Sequence, residues 1–157
     1  MVRTTRRTSL IAAATLGTSL LLGACSVANP ITTKGPYAAS DGVRVELTDG
    51  VAVENLMLLS EGEGEPGHLL GAVVNLTTEP VQVTITLGED GSPIPVRVPA
   101  EGTVNFTDAD ITEESVPVAP GANLPSSVSA GGAGALSVAV PVLDGTIPPY
   151  DEYLANR

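Results

Sequence analysis

Nowhere in these 157 residues do apolar side chains repeat at helical spacing over three turns; they come in short β-branched runs cut off by Gly, Pro and Asp. Such a chain folds by pairing strands. Val43, Val45 and Leu47 alternate with Arg44, Glu46 and Thr48, and Asp49-Gly50, a favoured hairpin dipeptide, leads into a second strand over Val51 to Ser60. Glu61 to Gly67 is a loop, and His68 to Thr77 is apolar on nearly every residue, as a strand covered on both faces would be. Pro80 to Leu87 alternates cleanly, and Pro93 to Val98 suits a sheet edge because Pro93 and Pro95 lack an N–H for a ladder. Thr103 to Phe106 and Ala135 to Val142 supply further strands, while Ala119 to Gly134 reads as a long irregular loop. About seven strands at intervals of roughly 8 to 12 residues predict an all-β antiparallel sandwich. With no tryptophan and one phenylalanine, its core must be Val, Leu, Ile and Ala.

The sole cysteine, Cys25, stands at the end of Leu21-Leu22-Gly23-Ala24-Cys25, behind an uncharged run and three arginines. That arrangement resembles a bacterial lipoprotein signal. Arg3, Arg6 and Arg7 form a positive n-region, Leu10 to Leu22 an apolar h-region of 13 residues, and Leu22, Gly23 and Ala24 a lipobox before the cleavage point. The resemblance implies removal of residues 1–24 and lipid on Cys25. An uncleaved anchor over Leu10 to Ala28 is the rival, since its 19 charge-free residues approach the roughly 20 that cross a bilayer. Either way the arginines keep the N-terminus cytoplasmic and the rest is exported, to the outer face of the cytoplasmic membrane. Arg6-Arg7 resembles a twin-arginine signal, with Ser9 at the usual aromatic or apolar position, so the export route stays open.

Residues 25–40, with Pro30, Gly35 and Pro36 and no apolar period, read as the lipidated cysteine and a flexible tether. Its 15 residues after Cys25 reach at most roughly 50 Å. Residues 41–157 form the sandwich domain and its Tyr-containing tail. In the mature chain four basic residues face 18 acidic ones, a formal charge of −14. A surface that acidic repels nucleic-acid phosphates and anionic head groups, so membrane attachment must come from acyl chains. With Cys25 lipidated, no disulfide is possible and apolar packing alone must hold the domain.

Several stretches together resemble the actinobacterial LpqE-like lipoproteins, distant relatives of the PCu(A)C copper chaperones. They are the signal, Gly42 to Leu47 leading to Asn55-Leu56, His68 to Leu76, and Pro125-Ser126-Ser127 followed by a Gly-rich turn and Leu136 to Val140. The resemblance implies an immunoglobulin-like or cupredoxin-like sandwich and a non-enzymatic binding or accessory role. It also implies association with an envelope or respiratory membrane complex such as the cytochrome bcc–aa3 assembly.

The wider family's copper site uses two histidines and two methionines, because thioethers with imidazole suit Cu(I). The mature chain offers His68 and Met57 alone. If Ser60 pairs with His68, Met57 falls opposite Gly71, on the other sheet face from His68; a one-residue slip brings both onto one face. A copper-binding metallochaperone-like role therefore needs ligands from a second molecule.

Glu61, Glu63 and Glu65, and Asp108, Asp110, Glu113 and Glu114, lack the EF-hand spacing for Ca²⁺ and read as solvated loops. Asn75-Leu76-Thr77 and Asn105-Phe106-Thr107 match a glycosylation acceptor pattern that a bacterial-type signal makes uninformative. Hydrolase motifs are missing, and Gly131-Gly132-Ala133-Gly134 has neither the lysine nor the strand-to-helix context of a phosphate loop. No enzyme is expected. Tyr150 and Tyr153 stand outside any strand pattern, as interface aromatics or as a tail covering the sandwich's open edge.

Overall fold

A computed structural model describes residues 40–156. The signal, Cys25 and all of the tether but its last residue lie outside them. Nine strands and one short helix form an all-β, sandwich-like fold: β1 (Val43–Thr48), β2 (Val51–Ser60), β3 (Gly67–Asn75), β4 (Val81–Thr86), β5 (Pro93–Val98), β6 (Gly102–Asn105), β7 (Thr112–Glu113), β8 (Asn123–Ala130), β9 (Leu136–Leu143) and α1 (Tyr150–Ala155). They hydrogen-bond in the order β5-β4-β8-β9-β2-β3-β6, a mixed sheet that curls almost into a barrel.

The Asp49-Gly50 turn does what the dipeptide predicts, with Gly50 at φ 82° and Thr48 paired to Val51. β3 takes one edge of β2 along most of its length. β1 and β9 share the other edge in succession, β1 beside Val51 to Leu56 and β9 beside Leu58 and Leu59. The β9 contact is parallel, Leu58 opposite Val142 and Leu59 opposite Leu143, so the expected purely antiparallel sandwich is corrected at this one seam. β5 pairs with β4 alone, as its prolines predict.

The stretch expected to be a long loop, Ala119 to Gly134, contains β8. Its burial alternates strictly, with Leu124, Ser126, Val128 and Ala130 inward. Three serines and a proline among eight residues hid that strand from a reading based on β-branched residues. Pro125 is tolerated because the β4 ladder ends at Ser127, so no β4 partner requires its N–H. β7, within the second acidic cluster, is a two-residue pairing with Gly67 and His68.

The interior cluster draws Val53, Leu56, Leu58, Leu69, Val73, Ile85, Val128 and Val140 from both halves of the sheet, with Phe106 its one aromatic. Each aliphatic side chain so buried contributes about 1.5–3 kcal/mol. A second, smaller cluster of Met57, Leu59, Leu70 and Tyr150 lies on the opposite face of β2 and β3, under α1. The tail thus covers a sheet face rather than the open edge.

Candidate functional site

Both β2 and β3 are apolar on two faces at one end, and a backbone irregularity makes them so. Before it, Val51 and Val53 point inward; after it, Leu56 and Leu58 do. An inward set that passes from odd to even positions requires one extra residue, and the register slips between Glu54 and Met57. Asn55 carries the positive φ of 53° there, and Gly71 opposite sits at φ 114°. A Cβ on Gly71 would stand 2.5 Å from Asn55 O, so only glycine lets the two backbones approach. The Asn55 side chain accepts the Gly42 N–H at 2.8 Å, which fixes the entrance to β1 as well.

Beyond the bulge the pairs are Met57 with Leu70, Leu59 with His68 and Ser60 with Gly67. The Ser60–His68 pairing is corrected by one residue, and the slip puts Met57, Leu59, His68 and Leu70 on a single face. Ser60 explains the correction: fully buried, its hydroxyl lies 3.0 Å from Gly62 O and 2.9 Å from Pro66 O, closing the acidic loop tightly enough that pairing starts at Gly67.

Helix α1 lies across this face. Tyr150 is 9% exposed; its hydroxyl donates to Asp41 Oδ2 at 2.7 Å and rests 3.8 Å from Met57 Sδ. Burial, reinforced by the Asp41 carboxylate, pushes its phenol up to about 12. Half-buried Tyr153 meets the His68 ring edge-on, centroids 5.6 Å apart at 83°. Leu143 and Leu154 complete the packing. His68 Nδ1 is buried and has no hydrogen-bond partner.

Four residues singled out in the sequence, Met57, His68, Tyr150 and Tyr153, therefore meet in one cluster. Asp41 joins them, and no local pattern announces it, because its partner lies 109 residues along the chain. The two soft donors share a face, but Met57 is 3% exposed and its sulfur touches the Tyr150 hydroxyl. Among the described residues no three His, Cys, Asp or Glu side chains converge to hold a metal ion. Among the described residues His68 and Met57 are the only imidazole and thioether donors, two where the PCu(A)C copper site uses four.

The remaining motifs find structural uses. Asn75 is fully buried: Nδ2 donates to Glu79 O and Pro99 O, and Oδ1 accepts from the Thr77 N–H and hydroxyl. Asn105 Oδ1 likewise accepts the Thr107 N–H at 2.9 Å. Both acceptor-pattern matches are side-chain-to-backbone turns at strand ends. The Glu61 to Glu65 loop is clipped to the segment after β7 by Gly64 N–H to Val116 O and Val116 N–H to Glu65 O. No family model and no curated protein matches the chain.

Proposed function

We propose that this chain is an exported lipoprotein, held on the outer face of the cytoplasmic membrane by lipid on Cys25. Its β-domain acts as a non-enzymatic binding or accessory module for an envelope or respiratory membrane complex, the cytochrome bcc–aa3 assembly being the candidate the family resemblance suggests. The observation that carries the reading is the lipobox Leu22-Gly23-Ala24-Cys25 behind three arginines. A single acyl chain binds membranes only marginally, so durable anchoring of so acidic a domain calls for multiple chains on that cysteine.

Mass analysis of the native polypeptide tests the anchor. A chain beginning at acylated Cys25 is expected, and a Cys25→Ala variant should leave the membrane fraction; an intact N-terminal methionine with a free thiol would refute the reading.

A second reading, a copper-binding metallochaperone-like lipoprotein, is favoured by one observation: the observed register puts Met57 and His68 on the same face. The missing ligands would come from a second molecule. Titration with Cu(I) tests it: submicromolar binding lost in His68→Ala would favour it over the accessory role.

A further inference from the structure

Two clefts meet beside the turn after β4. One, of about 430 Å³, is floored by Leu87, Leu124, Pro117 and Pro125 and rimmed by Glu89, Asp90 and Glu113. The other, of about 490 Å³, runs over the outer face of β8 and β9 past Asn123, Ser127 and Ser137. They share Gly88, Glu89 and Pro125, so they form one elongated groove, largely apolar along both halves, with carboxylates at the rim of one and Ser127 and Ser137 in the lining of the other. The β4 ladder ends at Thr86 opposite Ser127, which leaves Asn123 to Ser126 paired to β9 on one side only.

No cation among the described residues pairs with the acidic rim. Among the described residues the basic side chains are Arg44 and Arg97. Arg44 is spent on Glu46 and Glu54, at 3.1 and 2.7 Å, and Arg97 stands exposed on β5 opposite Gln82.

We infer that this groove receives an extended basic segment of a protein partner, with a Lys or Arg side chain in the acid-rimmed half. The inference rests on the binding-module reading and adds the place and the chemistry of the partner. Floor and rim select together: Leu87, Leu124, Pro117 and Pro125 suit the aliphatic stem of a long cationic side chain, and the carboxylates suit its head. A Ca²⁺ ion would need six or more oxygens at about 2.3–2.6 Å, and a carbon floor supplies none. The hydroxyls of Ser127 and Ser137 and the Asn123 amide are placed to hydrogen-bond the peptide's backbone as it leaves the cleft.

The test uses the full lipidated chain in detergent micelles and, as probe, the peptide acetyl-Ala-Lys-Ala-Arg-Ala-amide beside its Glu-for-Lys and Glu-for-Arg counterpart. The basic peptide is expected to bind, weakening as salt is raised, with amide shifts at Leu87, Gly88 and Leu124; the acidic peptide should not bind. The combined variant Glu89→Gln, Asp90→Asn, Glu113→Gln should weaken binding about tenfold, while Asp49→Asn, Glu79→Gln, Glu101→Gln, an equal charge change at the other end of β4, should alter it less than about twofold. Equal loss in both triple variants would reduce the effect to diffuse charge and overturn the inference, as would absence of binding. Either failure leaves the anchoring test and capture of a membrane complex untouched, so the accessory reading can survive it.

Discussion

Tyr150 ties the helix to the entrance of the domain by one hydrogen bond, and replacing it with phenylalanine keeps the ring while deleting that bond. Loss of a bond to a partly exposed carboxylate should lower stability by about 1 kcal/mol, read as a shift in the urea midpoint. Alkali supplies a sharper check. Because the folded-state phenol is raised from its ordinary 10.0 to about 12, the folded domain holds that proton more firmly than the unfolded chain. Its contribution is therefore complete below about pH 10 and is lost as pH rises toward about 12. Wild type should lose stability across that window and Tyr150→Phe should lose less; equal losses would refute the coupling. Asn75 carries a heavier load, since its amide satisfies two backbone carbonyls and one N–H at the close of β3. Asn75→Ala strands all three, and a loss of about 3 kcal/mol is expected, against little change at exposed Leu76, the next residue in the same turn.

At the scale of elements, the bulge and α1 form one device, because the bulge turns Met57 and Leu59 outward and the helix covers them. Gly71→Ala sets a Cβ within 2.6 Å of both Glu54 O and Asn55 O at a positive φ, so a loss of at least about 2 kcal/mol is expected. Ending the chain at Thr146 removes α1 and bares Met57, Leu59 and Leu70. Stability should fall by about 2–4 kcal/mol and the shortened domain should bind a hydrophobic dye that the full chain does not; unchanged dye binding would mean the helix covers nothing of consequence. This device also marks where the sequence stops being legible. Alternation of apolar with polar residues announced β1 and β4, because a half-buried strand writes its burial into every second residue, and Pro93 and Pro95 marked β5 as an edge. β8 left no such record, since Ser126 sits inward while Ser127 and Ser129 sit outward, which leaves only Leu124 and Val128 as large apolar residues to mark its buried face. The candidate site was half legible. Its four residues stood out by scarcity, one histidine, the one methionine among the described residues and the paired tyrosines, yet their meeting depends on a one-residue slip that only Ser60's bonds and the Asn55 bulge decide.

For the molecule as a whole, charge opposes folding. All 18 acidic residues lie within the described domain, which holds two guanidinium groups. Compacting that many like charges costs free energy that the unfolded chain avoids by spreading them. No disulfide offsets the cost, because the only cysteine lies outside the domain at position 25. Added salt shortens the reach of this repulsion to about 8 Å at 0.15 M. Salt also weakens the two Arg44 ion pairs, but both are exposed, and exposed pairs contribute too little to reverse the balance. Screening of repulsion should therefore win. Raising sodium chloride from about 0.01 M to 0.15 M should stabilise the domain by about 1 kcal/mol, about 4 °C in Tm. Choline chloride should act equally, because screening depends on ionic strength and not on the cation's identity. A rise confined to one small cation would instead place that ion in a specific site among the carboxylates, and a fall in Tm would mean that attraction, not repulsion, governs the folded surface.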